Sequence, residues 1–265
     1  SSAASDVYKR QVLGSMNQSK TTGEYILVVH DITQLRQLNS MRRDFISNLS
    51  HELRTPVSVI MANSETLLDG ALDNKKDAKI FAKAILHNSE RLSSMVSDLI
   101  DLSRIEYGDL KLNIKDIDFN EFMESFLLSM KSVAKKKAIE LIYTPDHNSL
   151  VNADIQALER IMNNLLDNAY KYSDEGTSVE VSTMDQGKMI KVMVADSGVG
   201  VSDEDQEHIF DRFYRTASAR ASDTKGSGLG LAIVKNLINS LNGEVGITTK
   251  RPSGSIFWFT IPKSK

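Results

Sequence analysis

His51 stands in Ser50-His51-Glu52-Leu53-Arg54-Thr55-Pro56, inside a stretch of helical periodicity. At about 100° per residue it lies about 200° from both Leu49 and Leu53, so it points away from the apolar seam and into solvent. Thr55, four residues on, stacks on the same face. Pro56 removes a backbone hydrogen bond and should bend the helix just beyond. A neutral imidazole nitrogen is a competent nucleophile near neutral pH. Glu52 beside it can orient the other ring nitrogen or accept its proton. The same residues equally describe an ordinary exposed histidine next to an ordinary exposed glutamate.

A second group suits a nucleotide. In Asn164-Leu-Leu-Asp-Asn168-Ala-Tyr-Lys171-Tyr172, the two asparagines, the lysine and the final tyrosine share one side of a helix. Asparagine is a poor mid-helix residue, so two at one-turn spacing suggest a polar face with a task. An amide oxygen can ligate Mg²⁺ without adding charge. Lys171 can meet a phosphate, and Tyr172 offers a ring to a base. A solvated polar face is the plain alternative. Asp196-Ser-Gly198-Val-Gly200 follows a strand; its glycines permit a tight turn and close ligand approach, and Asp196 could accept a hydrogen bond from an exocyclic amine. A simple turn would read the same way. Gly226-Ser-Gly228-Leu-Gly230-Leu opens a helix, where backbone N–H groups favour phosphate. It is neither a dinucleotide fingerprint nor a P-loop. Between them, Ile209-Phe210-Asp211-Arg212-Phe213-Tyr214-Arg215 leads into a polar stretch, Thr216 to Lys225, that reads as a lid. Phe210 and Phe213 could anchor it, and Arg212, Arg215 and Lys225 could reach phosphate oxygens.

The elements needed to position these residues are legible. Leu35, Leu38, Arg42, Phe45 and Leu49 step by three and four in a helix from about Gln34 to Gly70. A second helix, from about Lys75 to Tyr107, carries the stripe Ile85, Leu92, Met95, Leu99, Leu102 and Ile105. Two such hairpins paired into a dimeric four-helix bundle would bury both stripes. After about Lys115 the order is mixed: a helix from Asn120 to Lys137, short strands at Ile139–Thr144 and Leu150–Ala153, and a helix from Asp154, its cap, to Tyr172. Strands at Val179–Thr183 and Lys188–Ala195, a helix from about Leu229 to Asn242 and a closing hairpin complete an α/β sandwich. Near the start, Tyr25–Val29 reads as a strand, with Asp31 or Thr33 placed to cap the following helix. The opening SSAASDVYKRQVLGS has no convincing apolar period, and residues 1–22 are expected to be a leader, non-native or disordered.

The 265 residues suggest two domains and part of a third. With 41% apolar and 25% charged residues, wholesale disorder is excluded. A net charge of −3 gives no reason to expect nucleic acid. The absence of cysteine excludes a disulfide scaffold, a thiolate metal site and a cysteine nucleophile. No apolar run approaches the about 18 residues of a membrane span.

SHELRTP, NLLDNAYKYS, DSGVG, IFDRFYR and GSGLGL, in that order, resemble the H, N, G1, F and G2 boxes of bacterial sensor histidine kinases of the PhoR-like, HisKA-containing kind. The resemblance covers about Asp31 to Ile261, with no box degenerate. It implies a dimeric helical-hairpin (four-helix bundle) domain at residues 45–112 and a Bergerat (GHKL) α/β sandwich ATP-binding domain at 113–265. Residues 23–44 would be the end of a PAS-like domain, ending in D-I-T, and a coiled-coil signalling helix; an orphan edge strand is the alternative. By that resemblance His51 is autophosphorylated from ATP, Glu52 assists, and Thr55 completes an E-x-x-T pattern for dephosphorylating the partner response regulator. Asn168 is the Mg²⁺ ligand, Asn164 its phosphate-side neighbour, Lys171 a phosphate contact and Tyr172 an adenine contact. Asp196 selects adenine, Gly198, Gly200, Gly226, Gly228 and Gly230 shape pocket and lid, and Arg215 approaches the γ-phosphate. The phosphoryl group would pass to an aspartate of a response regulator. The fragment would be a cytoplasmic portion without membrane contact, its parent open to membrane anchoring. A hydrolysing chaperone or repair clamp, an inactive docking relic and a mainly phosphatase protein are the alternatives.

Overall fold

A computed structural model describes residues 12–18, 25–106, 108–146, 150–221, 226–250 and 253–264. The chain divides into two compact units, Ser1–Thr55 and Pro56–Lys265.

In the first unit, β1 (Val12–Gln18) pairs antiparallel with β2 (Tyr25–Asp31), Val12 opposite Asp31 and Gln18 opposite Tyr25. The strand expected from the β-branched run is present. Its partner was not expected, because Val-Leu-Gly-Ser-Met-Asn-Gln carries little apolar alternation; the ladder to β2 overrides its weak local preference. These seven residues fall within the stretch expected to be a non-native or disordered leader, and they are ordered as a strand. Residues 1–11 and 19–24 lie outside the described residues. Helix α1 (Thr33–Leu68) begins where Asp31 Oδ1 accepts from the Thr33 N–H at 2.9 Å, the capping role read from sequence. It runs unbroken through Pro56, whose ring takes only its own N–H out of the ladder. Along the expected seam, Phe45 and Leu49 are half-buried, whereas Leu35 is 59% exposed. The side chains of Leu38 and Arg42 lie outside the described residues.

In the second unit, a 3₁₀ turn at Ala71–Asp73 joins α1 to α2 (Lys75–Glu106). Asn74 Oδ1 accepts from the Lys76 N–H at 3.0 Å and starts α2. Then follow β3 (Lys115–Asp118), α3 (Phe119–Lys136), β4 (Glu140–Thr144), β5 (Leu150–Ala153) and α4 (Ile155–Tyr172). Next come β6 (Ser178–Asp185), β7 (Met189–Ala195), α5 (Asp203–Gln206), α6 (Ala217–Ala221), α7 (Gly230–Ser240), β8 (Val245–Thr249) and β9 (Ser255–Pro262). Five strands form one sheet in the order β4-β6-β7-β9-β8, with β4 and β6 parallel and the other pairs antiparallel. β3 and β5 form a separate antiparallel pair.

Period-two alternation explains how the sheet is covered. Val179 and Val181 of β6, Ile190, Val192 and Val194 of β7, and Phe257, Phe259 and Ile261 of β9 all point into the core. On that face α4 supplies Leu158, Ile161, Met162, Leu165 and Leu166, none more than 1% exposed. Each such burial is worth about 1.5–3 kcal/mol, enough to fix the rotation of α4. Asp154 caps it by accepting from the Ala157 N–H at 2.9 Å. Helix α7 packs against α4, and α2 packs against α7. Met95 and Leu102 of α2 are each 2% exposed, and Leu102 belongs to the core of this unit. Part of the stripe assigned to a helical bundle is thus already covered within one chain. Among the described residues, no helix is long and apolar enough to cross a membrane.

Candidate active site

With the apolar side of α4 locked into the core, its polar edge has only one way to face. Asn164, Asn168, Lys171 and Tyr172 all line a cavity of about 880 Å³. Asn164 Nδ2 donates to the Arg160 carbonyl at 2.8 Å, which sets the amide with its oxygen toward the start of α7. A Cβ built on Gly230 would come within 2.7 Å of that oxygen. Lys171 is 28% exposed and ion-paired with Asp167 one turn earlier.

The loop after β7 supplies the opposite wall. Asp196 is 4% exposed, and its Oδ1 accepts from the Gly198 N–H at 2.9 Å and the Ser255 N–H at 3.1 Å. Burial holds its carboxyl above the ordinary aspartate value, against the opposing pull of those two donors and Lys250. Both donors fall on Oδ1; among the described residues none reaches Oδ2. The carboxylate therefore has a spare acceptor in a cavity it lines. Gly198 itself does not line the cavity. Its role is contact: a Cβ there would sit 2.3 Å from the Tyr172 carbonyl oxygen. Only glycine lets this loop pass the end of α4. Gly198→Val is expected to destabilise the fold by about 2 kcal/mol or more, read as a lowered unfolding midpoint in denaturant at unchanged slope.

The third wall is the segment leading into α7. Phe213 has φ 59 and donates its N–H to the Gly228 carbonyl at 2.9 Å. Gly228, at φ 70, leaves only 2.7 Å between an added Cβ and the Phe213 backbone, so this clasp also demands glycine. Phe210 and Phe213 pack on the core, as expected of lid anchors. Gly200, Gly226, Gly228, Gly230 and Arg215 line the cavity. The Arg215 guanidinium donates to the Ala219 carbonyl, inside α6. Within the stretch read as a lid, Thr216 Oγ1 accepts from the Ala219 N–H at 3.1 Å and starts a short alanine-rich helix that the sequence reading did not include. Residues 222–225, with Lys225, lie outside the described residues. Arg212 is exposed and does not line the cavity.

His51, Glu52 and Thr55 belong to the first unit. His51 is exposed on α1, as its angle from the seam requires, and Glu52 is half-buried. The Thr55 hydroxyl donates to the His51 carbonyl at 3.3 Å.

Among the cavity residues that the sequence reading did not single out are Ser227, Arg160 and Asp98. Arg160 had a signal, since it lies one turn before Asn164 on the same helix edge. Asp98 lies on α2 and had none.

Among the described residues, no group of three or more His, Cys, Asp or Glu could hold an ion. An amide oxygen at Asn168 fits a hard cation that arrives with phosphates and keeps most of its water.

Comparison with known proteins gives this arrangement a class. Residues 41–108 match the family model described as the His Kinase A (phospho-acceptor) domain. Residues 153–265 match the model for histidine kinase-, DNA gyrase B-, and HSP90-like ATPases. A phosphoacceptor helical region ahead of a GHKL α/β sandwich is the kinase core of a sensor histidine kinase, the class to which these two domains belong. The sensor-like histidine kinase SenX3 of Mycobacterium tuberculosis is 36% identical over 237 residues, covering 89% of this chain and 58% of SenX3. The chain thus spans little more than half the length of that relative. Among solved structures, the Acinetobacter baumannii histidine kinase AdeS is similar at TM-score 0.67 and 27% identity, covering 81% of this chain and 98% of AdeS. Full-length ShkA in complex with AMPPNP is similar at TM-score 0.62 and 25% identity, covering 84% of this chain and 46% of ShkA.

Proposed function

We propose that this chain phosphorylates itself on His51 from ATP and passes the phosphoryl group to an aspartate of a response regulator. The observation carrying the reading is the convergence of Asn164, Asn168, Lys171 and Asp196 on one cavity, in a chain whose helical domain presents an exposed histidine. Asp196 Oδ2 accepts from the adenine amine, and Tyr172 lies beside the base. Lys171 exchanges its Asp167 partner for a phosphate oxygen. The N–H groups at the start of α7 and the Arg215 guanidinium meet the terminal phosphates.

A His51 ring nitrogen attacks the γ-phosphorus in line. The N–P bond forms as the bond to the β–γ bridging oxygen breaks, and ADP leaves with that electron pair. Glu52 orients the other ring nitrogen or takes its proton. Mg²⁺ held at Asn168 would offset phosphate charge. Transfer to the regulator regenerates His51, and Glu52 with Thr55 would serve dephosphorylation of that regulator.

Leu35 at 59% and Ile46 at 53% exposure leave apolar surface along α1 for a second copy, which supports a homodimer through the helices. β2 and the capping Asp31 ahead of α1 are consistent with the end of a PAS-like domain that signals through this helix. The parent protein would be anchored in a membrane, with this portion on the cytoplasmic side.

The test is incubation of the purified chain with ATP labelled at either the γ or the α phosphate. Acid-labile, alkali-stable label from γ-ATP alone is expected. Label from neither, with ATP bound, would sink the kinase reading.

A further inference from the structure

The phosphate end of the cavity already holds a carboxylate. Asp98, on α2, has a side chain only 13% exposed and is ion-paired to Arg160, which also pairs with Asp101 at 3.0 Å. Ser227, within the glycine-rich turn before α7, and Lys171 line the same cavity as Asp98, and both favour its ionised carboxylate. Lys171 is the side chain that the functional reading assigns to nucleotide phosphate, and Ser227 lines the same cavity in the glycine-rich turn leading to the α7 N–H groups. Two apolar contacts seat the same helix: Met95 lies one turn before Asp98 and Leu102 one turn after, each 2% exposed. Burial drives the Asp98 carboxyl upward despite Arg160, the sign of a charge held in place by its surroundings at a desolvation cost.

We propose that Asp98 is an internal stand-in for nucleotide phosphate, so that α2 docked on the ATPase domain and phosphate bound at Ser227 and Lys171 compete for the same groups. The contact is autoinhibitory. A nucleotide brings several negative charges to the place where Asp98 sits, and like charges sharing a partly buried site repel strongly. Phosphate entry therefore loosens the Asp98 end of α2 from Ser227, leaving Arg160 to Asp101. Adenosine, which reaches Asp196 without phosphate, does not. Because the two ligands share the nucleoside and differ by the triphosphate, an effect of Asp98 on ATP alone is an effect at the phosphates. The inference rests on the ATP-site reading.

The test uses the whole chain. Dissociation constants for ATP and adenosine are measured by titration calorimetry for the parent and for Asp98→Asn, which keeps the shape and removes the charge. The expected result is ATP affinity tightened about 10-fold with adenosine affinity within about 2-fold of the parent. Unchanged or weakened ATP affinity, or equal tightening for adenosine, would overturn the proposal while leaving the ATP site intact. Hydrogen exchange on the unmodified chain gives an independent reading: amides around Met95–Leu102 should exchange faster with ATP than with adenosine. Equal protection in the two complexes overturns the competition. A parent that binds neither ligand overturns the nucleotide site itself, and this inference with it.

Discussion

His51→Gln is expected to reduce the acid-labile label taken from γ-ATP by about 10³-fold or more, with ATP affinity unchanged. Glutamine keeps a polar, helix-compatible side chain of similar reach on an exposed face, so α1 should be undisturbed. What it loses is the nucleophilic ring nitrogen, and no other step of the proposed reaction can replace it. ATP affinity is spared because the nucleotide groups sit on α4, the loop after β7 and the start of α7, none of which includes His51. Label counting beside calorimetric titration of ATP checks both halves. Substantial label on the variant would move the acceptor elsewhere.

Asp196→Asn carries the second large effect. The native carboxylate takes two backbone N–H bonds on Oδ1 and offers Oδ2 to the adenine amine. An amide can keep its oxygen on the backbone donors only by presenting its NH₂ group to the base, donor against donor. Losing a hydrogen bond to a charged acceptor costs about 1.5–3 kcal/mol, so the dissociation constant for ATP should rise about 10- to 150-fold. Fluorescence competition with a labelled ATP analogue measures it. A change under about 3-fold would remove Asp196 from base recognition. Inorganic triphosphate, which has no base, should bind both forms alike.

The parts of this site that a sequence can declare are those whose geometry is local. On α4, apolar residues at helical spacing bury one side, so Asn164, Asn168 and Lys171 had to share the other, and the cap at Asp154 is visible in the residue itself. The glycine-rich segments announced close approaches, and Gly198 and Gly228 have them, against the backbone of Tyr172 and Phe213. Non-local pairings stayed hidden. β3 is Lys-Asp-Ile-Asp, three charged residues in four, and is a strand only because β5 lies beside it. β1 depends on β2 in the same way. The stripe on α2 was plain, but which surface covers Met95 and Leu102 depends on how the chain closes, and so Asp98 could not be placed near Ser227 beforehand. Helix α6 was missed because polar, alanine-rich residues read as lid until the Thr216 cap is seen.

The most direct test of the central claim is to locate the phosphate. The chain is incubated with ATP and Mg²⁺, held at alkaline pH, digested without acid and mapped by mass spectrometry. The chain has five histidines, so the result is discriminating. One phosphoryl group on the peptide containing His51 is the predicted outcome. Phosphate on another histidine, on a serine or threonine, or on no residue of a chain that binds ATP would contradict the account.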